Sequence, residues 1–189
     1  MGTKAYDNFA DLITFSRASG GTALRHVGYG DELVTNGTFD TDLTGWSLYN
    51  GATISWESGR IKAVKAGSYG GFLQELTGFT IGKVYTVSGE LEVVNFNAAQ
   101  LWVSTAAGGV AVALQIISGA GVKTYSFQFV ATATSMWINA RGDVVTGTGT
   151  LYGDNISVKE VIFDRASDPL VLFNHPANIP RVEYAADGS

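Results

Sequence analysis

Val84-Tyr85-Thr86-Val87-Ser88-Gly89-Glu90-Leu91-Glu92-Val93 alternates apolar and polar residues almost without a break. A β-strand sends successive side chains to opposite faces, so Tyr85, Val87, Leu91 and Val93 share one face, and Thr86, Ser88, Glu90 and Glu92 the other. One buried and one wet face is the mark of an antiparallel sheet. Working outward, Thr124-Tyr125-Ser126-Phe127-Gln128-Phe129 repeats the pattern, with the three aromatic rings facing in.

The same short runs recur between residues 32 and 162, and predict strands near 32–36, 46–49, 52–57, 59–65, 70–76, 83–94, 99–105, 110–117, 122–131, 134–140 and 149–162. Turn signals separate most of them, among them Asn50-Gly51, Ser58-Gly59, Gly108-Gly109 and Ser118-Gly119. Many short strands at regular spacing imply an all-β, two-sheet antiparallel β-sandwich of the jelly-roll type, with extra edge strands around its core. Residues 1–31 read as an irregular arm, its stretch 17–31 loop-like, and residues 163–189 as a tail that holds all three prolines.

Composition agrees. Of 189 residues 46% are hydrophobic, 15% are charged and 24 are glycine, which excludes both a disordered chain and a helical bundle. The net charge is −5 and no basic stripe exists, so a nucleic-acid partner is not expected. No apolar run approaches the ~20 residues that span a bilayer, so membrane insertion is not expected either. There is no cysteine for a disulfide or thiolate site. The first residues lack a signal-peptide pattern.

Two tryptophans break the inward rule. Trp102 alternates with Gln100 and Ser104, and Trp137 with Ser135, Asn139 and Arg141, so each ring falls on the polar side of its strand. An aromatic ring beside amides and a guanidinium suits a sugar: the ring packs on the C–H face of a pyranose and the polar groups meet its hydroxyls. Trp102, Trp137, Asn139 and Arg141 are therefore candidate ligand contacts. Gln74 and Gln128, read as lying on the polar sides of their strands, are further amides. A bland reading stands beside this one, in which a loop or the arm covers the rings and the glutamines are solvated surface. Trp46 and Trp56 are expected in the core or at its rim.

Three ordered motifs carry a resemblance: Leu33-Val-Thr-Asn36-Gly37-Thr38-Phe39-Asp40 with Leu43-Thr44-Gly45-Trp46, then Gln74-Glu75-Leu76 with Gly82-Lys83-Val84-Tyr85-Thr86-Val87-Ser88, and finally Asp154-Asn155-Ile156-Ser157-Val158. Together they resemble carbohydrate-binding modules of the family 4, 9 and 22 type. That resemblance implies a jelly roll, a polysaccharide or cell-surface glycan as partner, and a structural Ca²⁺ for which Asp40 and Asp154 are the matching positions. The flanks are similar to a segment of phage tail and other virion structural proteins: Phe15-Ser16-Arg17-Ala18-Ser19, echoed at 163–167, and Pro180-Arg181-Val182-Glu183-Tyr184. This implies a glycan-binding adhesion module at 32–162 set between two host segments, 1–31 and 163–189. It also implies other tail subunits as partners, a homotrimer as in tail fibres, and exit from the cell by lysis.

Other chemistry is thin. Glu90 and Glu92 point to one face and are the only pair suggesting a two-carboxylate glycosidase or lyase. A solvated polar stripe explains them as well. His26 and His175 stand alone, and no nucleophile elbow or phosphate loop is present. The expectation is a protein that is not an enzyme. A purely structural spacer or oligomerisation domain of the virion is the alternative, with both tryptophans covered.

Overall fold

In a computed structural model, which describes residues 24–143 and 147–165, the chain is an antiparallel two-sheet β-sandwich of the jelly-roll type with no helix among the described residues. The strands are β1 (Leu24–Glu32), β2 (Ser47–Tyr49), β3 (Thr53–Glu57), β4 (Arg60–Ala66), β5 (Gly70–Thr77), β6 (Val84–Val94), β7 (Ala98–Ser104), β8 (Ala111–Ser118), β9 (Gly121–Val130), β10 (Ser135–Gly142) and β11 (Thr148–Arg165). The first sheet runs β3-β4-β11-β6-β9, with β1 added against β11; the second runs β2-β5-β10-β7-β8. By its contacts Gly28–Ile162 forms one compact unit. The motifs at 15–19 and 180–184, and most of the arm and tail, lie outside the described residues.

The inner faces follow the alternation. Tyr85, Val87, Leu91 and Val93 of β6 meet Phe72 and Leu76 of β5, Met136 and Ile138 of β10, and Leu101 and Val103 of β7 in one buried cluster. Burying an aliphatic or aromatic side chain of this size is worth about 1.5–3 kcal/mol, so this cluster is the main source of stability. The predicted turns at Asn50-Gly51 and Ser58-Gly59 both form, with φ of 51° and 64°, and 53° and 78°. Two successive positive φ values give the tight hairpin turn whose twist matches the strands.

The first motif owes its glycine to a close backbone approach. The Gly37 carbonyl accepts a hydrogen bond from the Ile156 N–H at 2.9 Å, and a Cβ on Gly37 would run into the Ile156 carbonyl oxygen. Phe39, next in the motif, is fully buried at φ 49°.

The N-terminal edge differs from the expectation. Residues 24–32 form a strand, whereas the sequence reads as a loop there and predicts the strand at 32–36. The cause is β11. It is 18 residues long, and β4 pairs only with its first part, Thr148–Gly153. The remainder offers an open ladder edge that β1 fills, despite glycines that are usually scarce in strands. Residues 33–36 then leave the ladder, with Asn36 at φ 52°.

Candidate functional site

Residues opposite each other in an antiparallel pair share a face, so the registers map the outer surface of the second sheet. One row runs Tyr49, Gly71, Arg141, Gln100, Ile116, and the next Ser47, Leu73, Asn139, Trp102, Leu114. A third pairs Glu75, Trp137 and Ser104. Trp102 and Trp137 thus fall on one face, as their alternation predicts. They are diagonal neighbours, a relation that sets side chains about 7–8 Å apart.

The connection 105–110 between β7 and β8 folds back onto this face. Asn139 holds it: its Oδ1 accepts the Gly108 N–H at 2.9 Å, while its Nδ2 donates to Ser104 Oγ at 2.9 Å and to the Trp137 carbonyl at 3.1 Å. Ser104 Oγ donates to the Ala106 carbonyl at 2.6 Å, and Trp102 Nε1 to the Gly109 carbonyl at 3.0 Å. Gly108 lies at φ 61°, where a Cβ would strike the Tyr49 ring.

Against this loop lies a cleft of about 180 Å³ lined by Tyr49, Gln100, Trp102, Gly108, Leu114 and Arg141. Trp102 is the floor, with Tyr49 edge-on at 5.6 Å. At only 5% exposed it is largely covered by the 105–110 loop, as the covered-ring reading has it, and offers a ligand no more than its edge at the cleft. Arg141 is fixed from both sides. Its Nε and Nη2 donate to Gln100 Oε1 at 3.0 and 2.7 Å, and its guanidinium lies 4.6 Å from the Tyr69 ring centre and 5.4 Å from that of Trp102. Cation–π contacts of this kind hold a guanidinium without neutralising it.

The other candidates separate. Trp137 is half-buried on the same face but outside the cleft lining. Asn139 is fully buried and its amide is spent on the loop, so it shapes the cleft from below. Gln74 corrects its predicted orientation. It lies between Phe72 and Leu76 on the core side of β5, where its Oε1 accepts the Thr35 N–H at 2.8 Å and its Nε2 donates to the Thr35 carbonyl at 2.9 Å. The buried amide is stable there because both its ends are paired. Gln128 is exposed, but on β9 of the other sheet, opposite Thr86 and away from the cleft. Tyr49, Tyr69 and Leu114 were not singled out from the sequence. Trp46 is in the core, and Trp56 sits at its rim, 43% exposed, donating to the Phe39 carbonyl at 2.6 Å.

Glu90 and Glu92 point out from the first sheet, beside a dent of about 40 Å³. Glu92 is paired with Arg60 at 2.5 Å, and Arg60 stacks 4.3 Å from the Tyr152 ring centre. The Tyr152 hydroxyl donates to Glu57 at 3.0 Å, and Lys62 bonds the other Glu57 oxygen at 2.7 Å. The Lys62 ammonium, then the Tyr152 O–H, hold the Glu57 carboxyl below the usual glutamate range.

Asp40 and Asp154, the positions matched to a structural Ca²⁺, are not joined by further acidic side chains among the described residues. Asp40 Oδ2 accepts Thr38 Oγ1 at 3.0 Å, and Asp154 Oδ1 accepts the N–H of its neighbour Asn155 at 2.7 Å. Each is used in its own turn, and no three acidic or histidine side chains gather among the described residues. Ca²⁺ takes six to eight oxygens. The carboxylate that organises the first loop is Asp42, which accepts the Thr44 N–H and Asn36 Nδ2 at 2.9 and 3.0 Å.

The fold is that of carbohydrate-binding modules. It matches a family 4 carbohydrate-binding module over 67% of this chain and 98% of that one, at 18% identity and a TM-score of 0.54. It also matches the N-terminal cellulose-binding domain of Cellulomonas fimi β-1,4-glucanase C over 68% and 96%, at 18% identity and a TM-score of 0.53. Tailspike protein 4 of bacteriophage CBA120 is similar over 69% of this chain but 21% of its own length, at 16% identity and a TM-score of 0.50. No family model matches the sequence, and no curated protein does. Identities this low speak to the sandwich alone.

Proposed function

We propose that this sandwich is a glycan-binding module, not an enzyme, and that its ligand lies across the outer face of the second sheet. One observation carries the reading: Trp102, Tyr49 and Arg141 converge on a cleft in a face that otherwise holds almost no charge. Its 180 Å³ is below the ~300–1,000 Å³ of pockets that enclose a whole ligand. An open cleft of that size suits a polymer resting on the surface with one residue seated. Trp137, partly exposed on the same face, extends the platform. The carbohydrate-binding modules among the structural neighbours support the reading.

In this proposal the module serves host recognition in a phage tail or tail-fibre protein and reaches the outside by lysis. The flanking motifs at 15–19 and 180–184 support that context, as does the tailspike among the similar structures. A glycan array probed with the full chain is the test. Binding to polysaccharide or cell-surface glycans is expected, weakened in Trp137→Ala and Arg141→Gln; a wild-type chain that binds none removes the proposal.

A second reading has its own observation. Edge strand β8 carries no charge and exposes Val112, Leu114 and Ile116, 40%, 48% and 54% accessible. Uncharged, apolar edge strands invite pairing with another chain, which favours an oligomerisation domain. Light scattering separates the readings: a trimer that loses its assembly, and nothing else, in Val112→Lys, outside the cleft lining, would support the structural role. The glycosidase reading finds no support in Glu92, which is held by Arg60.

A further inference from the structure

The geometry points to a carboxylate-bearing glycan, a polysaccharide containing uronic acid residues, as the ligand class of this cleft; the inference rests on the glycan-binding reading above. The five strands of the second sheet contain only two charged residues, Glu75 and Arg141. They do not neutralise each other. Arg141 pairs with Gly71 across β5, and Glu75 lies four residues further along that strand, about 13 Å away. Glu75 is instead bonded to Ser135 Oγ. Elsewhere Arg60, Lys62, Lys83 and Lys159 each stand within 3.6 Å of a carboxylate. Arg141 has none among the described residues. Lys65 and Lys123 have none either, but both belong to the first sheet, so Arg141 is the one such cation on the strands of the second.

Hydrogen-bond capacity sharpens the point. A guanidinium has five N–H donors, and Arg141 commits two of them to Gln100 Oε1. Three remain. Acceptors are scarce in the same cleft, because Gln100 Oε1 is taken twice by Arg141 and no carboxylate lines the wall. The Tyr49 hydroxyl is the remaining side-chain acceptor. A neutral pyranose brings a hydroxyl donor for nearly every acceptor and would leave donors unmet. A uronate carboxylate brings acceptors alone, and a planar guanidinium meets it with two parallel bonds. Stacking on Tyr69 and Trp102 fixes the guanidinium plane in advance, so little ordering is lost on binding. Glu90, Glu92 and Asp154 sit on the outer face of the other sheet. Charge repulsion from that side falls off over a Debye length of about 8 Å in physiological salt.

The experiment compares polygalacturonate and polyglucuronate with their carboxyl-reduced forms, alongside a neutral glycan array, using the full chain. The expected result is binding of at least one polyuronate about tenfold or more tighter than its reduced form. That preference should shrink as salt rises and disappear in Arg141→Gln. Arg141→Lys should keep part of it, and Lys123→Ala, on the other sheet, all of it. Equal binding of acid and reduced polymers overturns the inference, as does binding of neutral glycans alone; in both cases the glycan-binding reading stands. Binding to nothing overturns both.

Discussion

The two outer faces of the sandwich are built from opposite materials. The first sheet presents Glu57, Arg60, Lys62, Tyr152 and Glu92 as a closed network in which every member already has a partner. The second presents rings, a buried amide, and one arginine whose charge nothing answers. Ion pairs on a solvated face add little to stability, about 0–1 kcal/mol each. A surface that spends its charges internally has few left for a ligand. The difference teaches where to look: in the charge-poor face the unanswered group is the informative one, and in the charge-rich face the number of charges means little.

Four results would break or sharpen that contrast. Asn139→Ala should have the largest effect. It leaves the part-buried Gly108 N–H without its acceptor and takes a donor from the Ser104 hydroxyl, at a cost of about 1–3 kcal/mol by the usual penalty for unpaired groups. Thermal melts should fall by several degrees, and glycan binding should go with the loop that Asn139 holds. An unchanged melting curve would mean that the loop is not anchored this way. Next comes Arg141→Gln against Glu90→Gln/Glu92→Gln. Titration calorimetry should show at least about a tenfold loss of affinity, some 1.4 kcal/mol, in the first and no loss in the second. The reverse outcome would move the site to the other sheet.

Acid should touch the first face more than the second. Glu57 has a folded pKa below its unfolded value, so its contribution is complete above the ordinary glutamate range and is lost as pH falls through the depressed value. Lys62 is shifted up, chiefly by Glu57, so the pair stays charged at neutral pH. Denaturation midpoints measured below about pH 4.5 should decline less steeply in Glu57→Gln than in the wild type. The effect is small, since both side chains keep part of their surface in solvent. Smallest of all is the response to chelation: EDTA should leave the melting temperature unmoved, and a clear rise with added Ca²⁺ would show that Asp40 and Asp154 do gather ligands.

Period-two alternation told in from out with good fidelity, but it is silent on which sheet a strand joins. Gln128 is outward-facing as expected, yet it belongs to the sheet opposite Trp102. Gln74 shows the converse. Its place between Phe72 and Leu76 already put it on the inner face, and its polar character argued the other way; only the Thr35 backbone, 39 residues distant, explains the burial. Trp102 and Trp137 were legible because alternation places both on the polar side. Tyr49 was not, because it reaches Arg141 through the order β2-β5-β10, which brings together segments about ninety residues apart. Nor does local sequence announce that the 105–110 loop covers Trp102.

The most direct test is an amide and indole NMR titration of the ¹⁵N-labelled full chain with a polyuronate oligosaccharide. Shifts are expected in the Trp102 indole, the Arg141 side chain and the backbone at Tyr49, Gln100 and Gly108, with the signals of Glu90, Glu92 and Arg60 left in place. Shifts confined to those last three residues, or no shifts with any glycan, would contradict the proposed site.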